Sequence, residues 1–88
     1  MKVSMEIRKK LNEKGLSYGD LAERIGKSKA YVGNIIKFGI TSNVDALIDI
    51  AAALDIPDGK MKKLLLEDRQ REASLEYDDA LELRRNNK

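Results

Sequence analysis

The side chains best suited to recognising another molecule are clustered in one short segment. Residues 28–37 are predicted to form a helix whose inner face holds Val32, Ile35 and Ile36. The opposite face has no acidic group and consists of Lys29, Ala30, Gly33, Asn34 and Lys37. An amide can read adenine, a lysine can read guanine or bind phosphate, and small residues let a helix come close. This face suits the major groove of DNA, although any small helical domain also presents a polar outer face.

A helix and a tight turn before this segment are predicted to hold it in place. Ser17 can cap a helix over residues 18–25, whose apolar side chains share one face and must pack inward. Gly26 supplies the permissive backbone that ends a helix, and Ser28 is placed to cap the next one. The spacing of cap, helix, glycine and cap therefore predicts a helix-turn-helix.

The predicted helix-turn-helix and the apolar segment after it match a known pattern. The matching positions are Leu16-Ser17, the run Leu21-Ala22-Glu23-Arg24, Gly26, Ser28, Val32, Ile35, and the helix from Leu47 to Ile56 with Ala51 and Leu54. A stretch of about residues 6–56 thereby resembles the lambda-repressor-like (Cro/CI, XRE) family of helix-turn-helix regulators. Many relatives have Glu, then Arg or Asn, then Gly in place of Ile36, Lys37 and Phe38, and a basic residue often aligns with Asn34.

The resemblance implies a five-helix bundle in which the third helix reads bases. It also implies that Tyr18 touches a phosphate and that the loop over residues 39–43 runs beside the DNA backbone. With the outer face described above, this predicts base contacts from Lys29, Ala30, Gly33 and Asn34. Phosphate contacts are predicted from Tyr18, Lys27, Ser28, Tyr31, Lys37, Thr41, Ser42 and Asn43. Asn43 fits equally well as the N-cap of the fourth helix, and the two roles are compatible.

Three further helices complete the expected helix-turn-helix domain over residues 1–66. Ser4 can cap a first helix that follows a short arm and runs to Lys14. The fourth helix, residues 44–55, is apolar on more than one side, which predicts that it is almost fully buried. A Pro-Asp-Gly turn then precedes a fifth helix, from Gly59, that docks back onto the fourth.

The last segment, residues 67–88, is expected to be an acidic helical extension. Residues 67–82 contain seven acids and two bases, so contact with DNA phosphates is unfavourable. The segment suits either one long helix that continues the fifth or a solvated, partly frayed tail. Because the five-helix core can close without it, we predict that its apolar residues contact a second copy of the chain or a protein partner. These residues are Leu75, Tyr77, Leu81 and Leu83.

The composition of the 88 residues suits a small all-α fold with an aliphatic core, since it includes one Phe, no Trp and a single Pro. Neither Cys nor His is present, which removes disulfides and the usual zinc ligands, so no metal or cofactor is expected. The longest apolar run, residues 50–54, is far shorter than the ~18 residues of a membrane span. We therefore expect no membrane association and a cytoplasmic protein that is associated with the nucleoid when bound to DNA.

Charge is unevenly distributed along the chain. Residues 1–43 contain nine Lys or Arg and four Asp or Glu, whereas residues 44–88 contain eight and eleven. A basic half around the predicted reading helix is the electrostatic footprint of a nucleic-acid binder, and the acidic half should face away from phosphate.

The leading hypothesis is a sequence-specific DNA-binding transcriptional regulator, a repressor of the Cro or mobile-element type. It would bind a two-fold-related operator in double-stranded DNA as a homodimer. The alternative is an antitoxin or other protein-interaction module whose acidic tail binds a protein partner, with DNA binding secondary. An enzyme is not expected, because the acid pair Asp78-Asp79 has no His or Cys beside it and is typical of a solvated face.

Overall fold

Six helices make up the computed structural model, which describes residues 1–38 and 44–86. In chain order they are α1 (Lys2–Lys14), α2 (Tyr18–Ile25), α3 (Lys29–Phe38), α4 (Val44–Leu54), α5 (Asp58–Glu67) and α6 (Arg71–Asn86). No strand occurs in these two ranges, so the all-α prediction is confirmed. None of the six helices has the length and apolar character needed to cross a membrane.

Helix α4 lies at the centre of the core, as its apolar sequence predicts. Its buried residues are Val44, Ala46, Leu47, Ile48, Ile50, Ala51 and Leu54. The helices α1, α2, α5 and α6 all pack against it. It ends one residue earlier than predicted because Asp55 adopts a left-handed backbone with φ of 58°. The backbone N–H of Ile56 then donates to the carbonyl of Ala51 at 2.9 Å, which closes the helix end.

The start of α1 differs from the prediction. Ser4 does not cap this helix, because α1 begins at Lys2 and the Ser4 side chain is buried within the first turn. The cap is instead Asp68, whose carboxylate accepts from the backbone N–H of Lys2 at 2.8 Å and of Val3 at 3.0 Å. The Lys2 ammonium also pairs with Glu67 at 3.0 Å. The residue that follows α5 therefore satisfies two of the free N–H groups at the start of α1.

We expect the Asp68→Ala variant to lose about 1 kcal/mol of stability, because two N–H groups of α1 lose their acceptor. The Asp68→Asn variant keeps an acceptor oxygen and should lose less. Urea unfolding followed by circular dichroism measures both, with Asp79→Ala as the control for removing an exposed carboxylate. An unchanged unfolding midpoint for Asp68→Ala would show that this cap contributes nothing.

A break separates α5 from α6, so the prediction of one long helix is wrong. Arg69 adopts a left-handed backbone with φ of 62°, and the N–H of Gln70 donates to the Leu65 carbonyl at 2.8 Å. This hydrogen-bond pattern ends α5 and reverses the chain. Helix α6 then packs against α4 and α5.

The buried side of α6 belongs to the same hydrophobic core as the first five helices. Ala73 and Tyr77 are buried in that core, and Leu81 packs against it while partly exposed. The Tyr77 ring is 0% exposed, and its hydroxyl donates to the Asp58 carboxylate at 2.7 Å. Its prediction as a partner contact is therefore wrong, because a fully buried ring is inaccessible to a second protein. Of the four predicted contacts, Leu75 and Leu83 have exposed side chains.

Ion pairs fasten the outer edges of α6 to the neighbouring helices. Arg84 donates to Asp49 at 3.0 Å and to Asp45 at 3.2 Å, both on α4. Lys62 of α5 donates to Asp78 at 2.9 Å. The segment predicted as either a long helix or a frayed tail is thus a docked sixth helix over Arg71–Asn86.

Candidate nucleic-acid interface

Local hydrogen bonds fix the start of α2 as predicted. The Ser17 hydroxyl accepts from the backbone N–H of Asp20 at 3.0 Å, and the Asp20 carboxylate accepts from the N–H of Ser17 at 2.8 Å. This capping box satisfies two N–H groups at the helix start. Donation from the Ser17 backbone, and then its side chain, lowers the pKa of the Asp20 carboxyl. The box therefore loses its acceptor only at a pH below the ordinary range for Asp.

The turn between α2 and α3 also follows the prediction. Gly26 has φ of 70°, a left-handed conformation that L side chains rarely adopt, and the N–H of Lys27 donates to the Ala22 carbonyl at 2.9 Å. The Ser28 hydroxyl then accepts from the N–H of Tyr31 at 3.1 Å and caps α3. These contacts fix the direction in which α3 leaves the turn.

Helix α3 buries one side and presents the other to solvent. Val32 and Ile36 are buried, and Ile35 packs partly exposed against the core. Four of the predicted DNA-contacting residues of α3 have exposed side chains: Lys29, Ala30, Asn34 and Lys37. The described residues of α3 include no acid. The surface that faces outward is therefore neutral to cationic.

Two of the predicted DNA contacts are neighbours across the α2–α3 pair. A methyl group built on Gly33 would lie 3.9 Å from Cδ2 of Tyr18, an ordinary van der Waals separation. Tyr18 is half-buried against the core. The start of α2 and the middle of α3 thus form one continuous surface, which brings a predicted phosphate contact beside a predicted base contact.

The lysines on this surface are not neutralised by carboxylates. Among residues 1–38 and 44–86, no acid lies within ion-pair distance of Lys27, Lys29 or Lys37. The ammonium of Lys27 lies 5.4 Å from the centre of the Tyr31 ring. Away from this surface, lysines such as Lys14 and Lys60 form pairs of 2.8 Å and 2.9 Å with Asp55 and Glu6. An unpaired cationic surface is what phosphate binding requires.

Two exposed residues extend this surface beyond the predicted set. Arg8 of α1 lines a shallow groove together with Asn12, Ser17 and Tyr18, the last of which begins α2. Phe38, at the end of α3, is also exposed. The predicted contacts Thr41, Ser42 and Asn43 lie outside the described residues.

An exposed, acid-free second helix in a capped helix-turn-helix is typical of a DNA-binding domain. The family model described as Helix-turn-helix matches residues 7–60, which is more than half of the chain. The protein therefore belongs to this family, the XRE or lambda-repressor-like helix-turn-helix DNA-binding regulators, and the resemblance seen in the sequence is confirmed. The match begins within α1, contains α2, α3 and α4, and ends near the start of α5. No curated protein and no solved structure matches the chain.

Proposed function

We propose that the protein is a sequence-specific transcriptional repressor of the Cro or mobile-element type. It binds a two-fold-related operator as a homodimer and reads bases with α3. The observation that carries this proposal is the exposed side of α3, which combines an amide, small residues and unpaired lysines on a helix-turn-helix. Such a surface can enter the major groove without burying a carboxylate against phosphate.

The proposed DNA-contacting side chains form two groups, those that reach base edges and those that reach the sugar-phosphate backbone. Base contacts come from Lys29, Ala30, Gly33 and Asn34. Backbone contacts come from Tyr18, Lys27, Ser28, Tyr31 and Lys37, together with Thr41, Ser42 and Asn43, which follow α3 in the sequence. Arg8 joins this backbone set because it lines the same groove as Tyr18. Contacts to phosphate position the helix, whereas contacts to base edges select the sequence.

The acidic half of the chain is compatible with this arrangement. Part of its charge is already balanced, since Arg84 pairs with Asp45 and Asp49. The acids of α6 are carried on a helix that packs against α4 and α5. Long-range attraction to DNA therefore comes from the α1–α3 side of the molecule.

Selection of bound sites from random double-stranded DNA tests the proposed function. We expect an inverted repeat whose half-site centres are about 34 Å apart, or a multiple of that distance. The mass of the complex should correspond to two chains per site. Expression of a reporter gene placed downstream of the selected site should decrease when the protein is expressed. Failure to enrich any sequence would contradict the proposal.

We expect the Lys37→Ala variant to weaken binding almost equally on all sequences, because a phosphate contact carries no base preference. The slope of log binding constant against log salt should decrease in magnitude by about 0.9 for one lost phosphate contact. Titrations of the selected site and of unrelated DNA at several salt concentrations measure this. The exposed Lys63 of α5 provides a matched control, since Lys63→Ala should leave the slope unchanged. An unchanged slope for Lys37→Ala would place its ammonium in solvent.

A protein-interaction module such as an antitoxin is the second candidate function. The observation that favours it is the outer side of α6, where Leu75 and Leu83 are 57% and 64% exposed. The acids Glu72, Glu76, Asp79 and Glu82 have exposed side chains on the same helix. The same two leucines are also the candidate homodimer contacts.

The double variant Leu75→Ser, Leu83→Ser separates the two roles of these leucines. Loss of the dimer and of operator affinity would assign them to the homodimer. An unchanged dimer with unchanged affinity would leave the α6 surface to a different protein. A stable partner that co-purifies with the wild-type chain but not with the double variant would then support the interaction module.

A further inference from the structure

The single Phe of the chain is exposed at the end of the candidate reading helix. Phe38 is the last residue of α3 and is 69% exposed, the most of any large apolar side chain in the described ranges. The large aromatic side chain that is buried in the core is that of Tyr77. A lone exposed apolar residue needs no explanation by itself. The position of Phe38 beside the predicted base contacts does need an explanation.

Helical geometry places Phe38 on the same side of α3 as two of those contacts. It follows Asn34 by four residues and Ala30 by eight, so it lies about 40° and about 80° around the helix axis from them, within the same half of the helix surface. At 1.5 Å of rise per residue, Phe38 lies about 6 Å further along the axis than Asn34. That distance is about two base-pair steps of ~3.4 Å. A helix that lies along the major groove therefore carries the Phe38 ring to base edges that Asn34 does not reach.

The ring and the adjacent lysine offer an apolar surface bordered by a cation. The ammonium of Lys37 lies 5.3 Å from the centre of the Phe38 ring. The 5-methyl group of thymine is the apolar feature of the major groove, and Phe is among the side chains that contact it. A lysine beside the ring can meet the phosphate next to the same nucleotide.

We propose that Phe38 is a specificity-determining residue that contacts the 5-methyl group of a thymine about two base pairs beyond the pair read by Asn34. This inference rests on the proposed function, because it requires α3 to lie in the major groove. It adds to that function the identity of one base and the side chain that selects it.

The experiment compares thymine with deoxyuridine, which differs only by the absence of the 5-methyl group. A site selected by the wild-type chain is synthesised with deoxyuridine at each thymine in turn. At one thymine we expect the wild-type affinity to fall about fourfold, the effect of losing one buried methyl group. The Phe38→Ala variant should bind the two forms of that site equally. Phe38→Leu, which keeps an apolar side chain, should retain part of the preference.

Two controls accompany this measurement. Leu66→Ala removes an exposed apolar side chain from α5, a residue without an assigned role in DNA binding or dimer contact, and should leave every thymine preference unchanged. Thermal unfolding of Phe38→Ala should match that of the wild-type chain, because the ring has few contacts to lose.

The outcomes separate the inference from the proposed function. If the wild-type chain enriches a site and Phe38→Ala enriches the same site with the same thymine preference, only the inference is overturned. The inference also fails if Phe38→Ala loses affinity equally on every sequence or loses the dimer. Such a result would assign the ring to backbone contact or to assembly. If the wild-type chain enriches no site, the proposed function fails and the inference fails with it.

Discussion

Replacing Tyr77 by alanine is expected to lower the free energy of unfolding by about 3–5 kcal/mol, the cost typical of removing a large buried aromatic side chain. The ring is fully buried between α6 and the rest of the core, and its hydroxyl donates to Asp58 on α5. Burial and this hydrogen bond raise the pKa of the Tyr77 phenol, so the hydroxyl stays protonated as a donor. Small domains are stable by only about 5–15 kcal/mol, so the variant should be close to unfolding. Urea unfolding measures the loss.

Two further variants identify which interactions account for this loss of stability. Tyr77→Phe keeps the ring and removes the hydrogen bond, so it should cost about 1 kcal/mol, because the exposed Asp58 carboxylate can bind water instead. Asp79→Ala, at an exposed position of the same helix, should change stability by less than either. A Tyr77→Ala protein as stable as the wild type would mean that α6 does not stabilise the domain.

The helix-turn-helix could be predicted from the sequence because its determinants are local. Ser17 and Asp20 are three residues apart and bond each other's backbone, and Gly26 ends α2 through its own φ angle. Ser28 caps α3 through a residue three positions later. Interactions within a few residues leave a pattern that can be recognised without knowledge of the tertiary fold.

The contacts that attach α1 and α6 to the rest of the domain leave no such local pattern in the sequence. Asp68 caps α1 across 66 positions, and Arg84 reaches Asp45 across 39. Their partners are set by how the helices pack. Nothing local distinguishes Asp68 from the other acids of the C-terminal half, so a sequence pattern cannot show that it is a cap.

The sequence contains a pattern that indicates the burial of Tyr77. Ala73, Tyr77 and Leu81 follow one another at four-residue intervals, which is the spacing of a buried helical stripe. The pattern alone does not show what the stripe packs against, because the first five helices can form a closed core without this segment. Two successive four-residue intervals indicate an amphipathic helix, but the surface against which it packs is defined only by the positions of α4 and α5.

The candidate interface, like the fold, could be predicted from the sequence only in part. Lys29 and Asn34 were placed on the outer face of α3 by the period of the helix, and the structure exposes both side chains. Arg8 was not, because its position beside Tyr18 depends on how α1 packs on the α2–α3 pair.

Lys29→Ala and Asn34→Ala are each expected to reduce affinity for the selected site by about 5- to 150-fold, which corresponds to about 1–3 kcal/mol for a base-reading side chain. The two residues are five positions apart, so their Cα atoms differ by about 7.5 Å along the axis of α3. Preference should therefore relax at two different base pairs, about two steps apart. Repeating the selection from random DNA with each variant identifies the positions at which preference is lost.

Because the charges of Lys29 and Asn34 differ, the loss of base reading in each variant can be distinguished from a general loss of DNA binding. Asn34 is neutral, so Asn34→Ala should leave both the salt slope and the affinity for unrelated DNA unchanged. The exposed Asn86 of α6 is its matched control, and Lys63 of α5 is the control for Lys29. If both variants remain folded and still select the wild-type sequence, the reading face of α3 is not the one that meets the bases. The lysines would then bind DNA without reading it, and a different surface of the domain would have to supply the specificity.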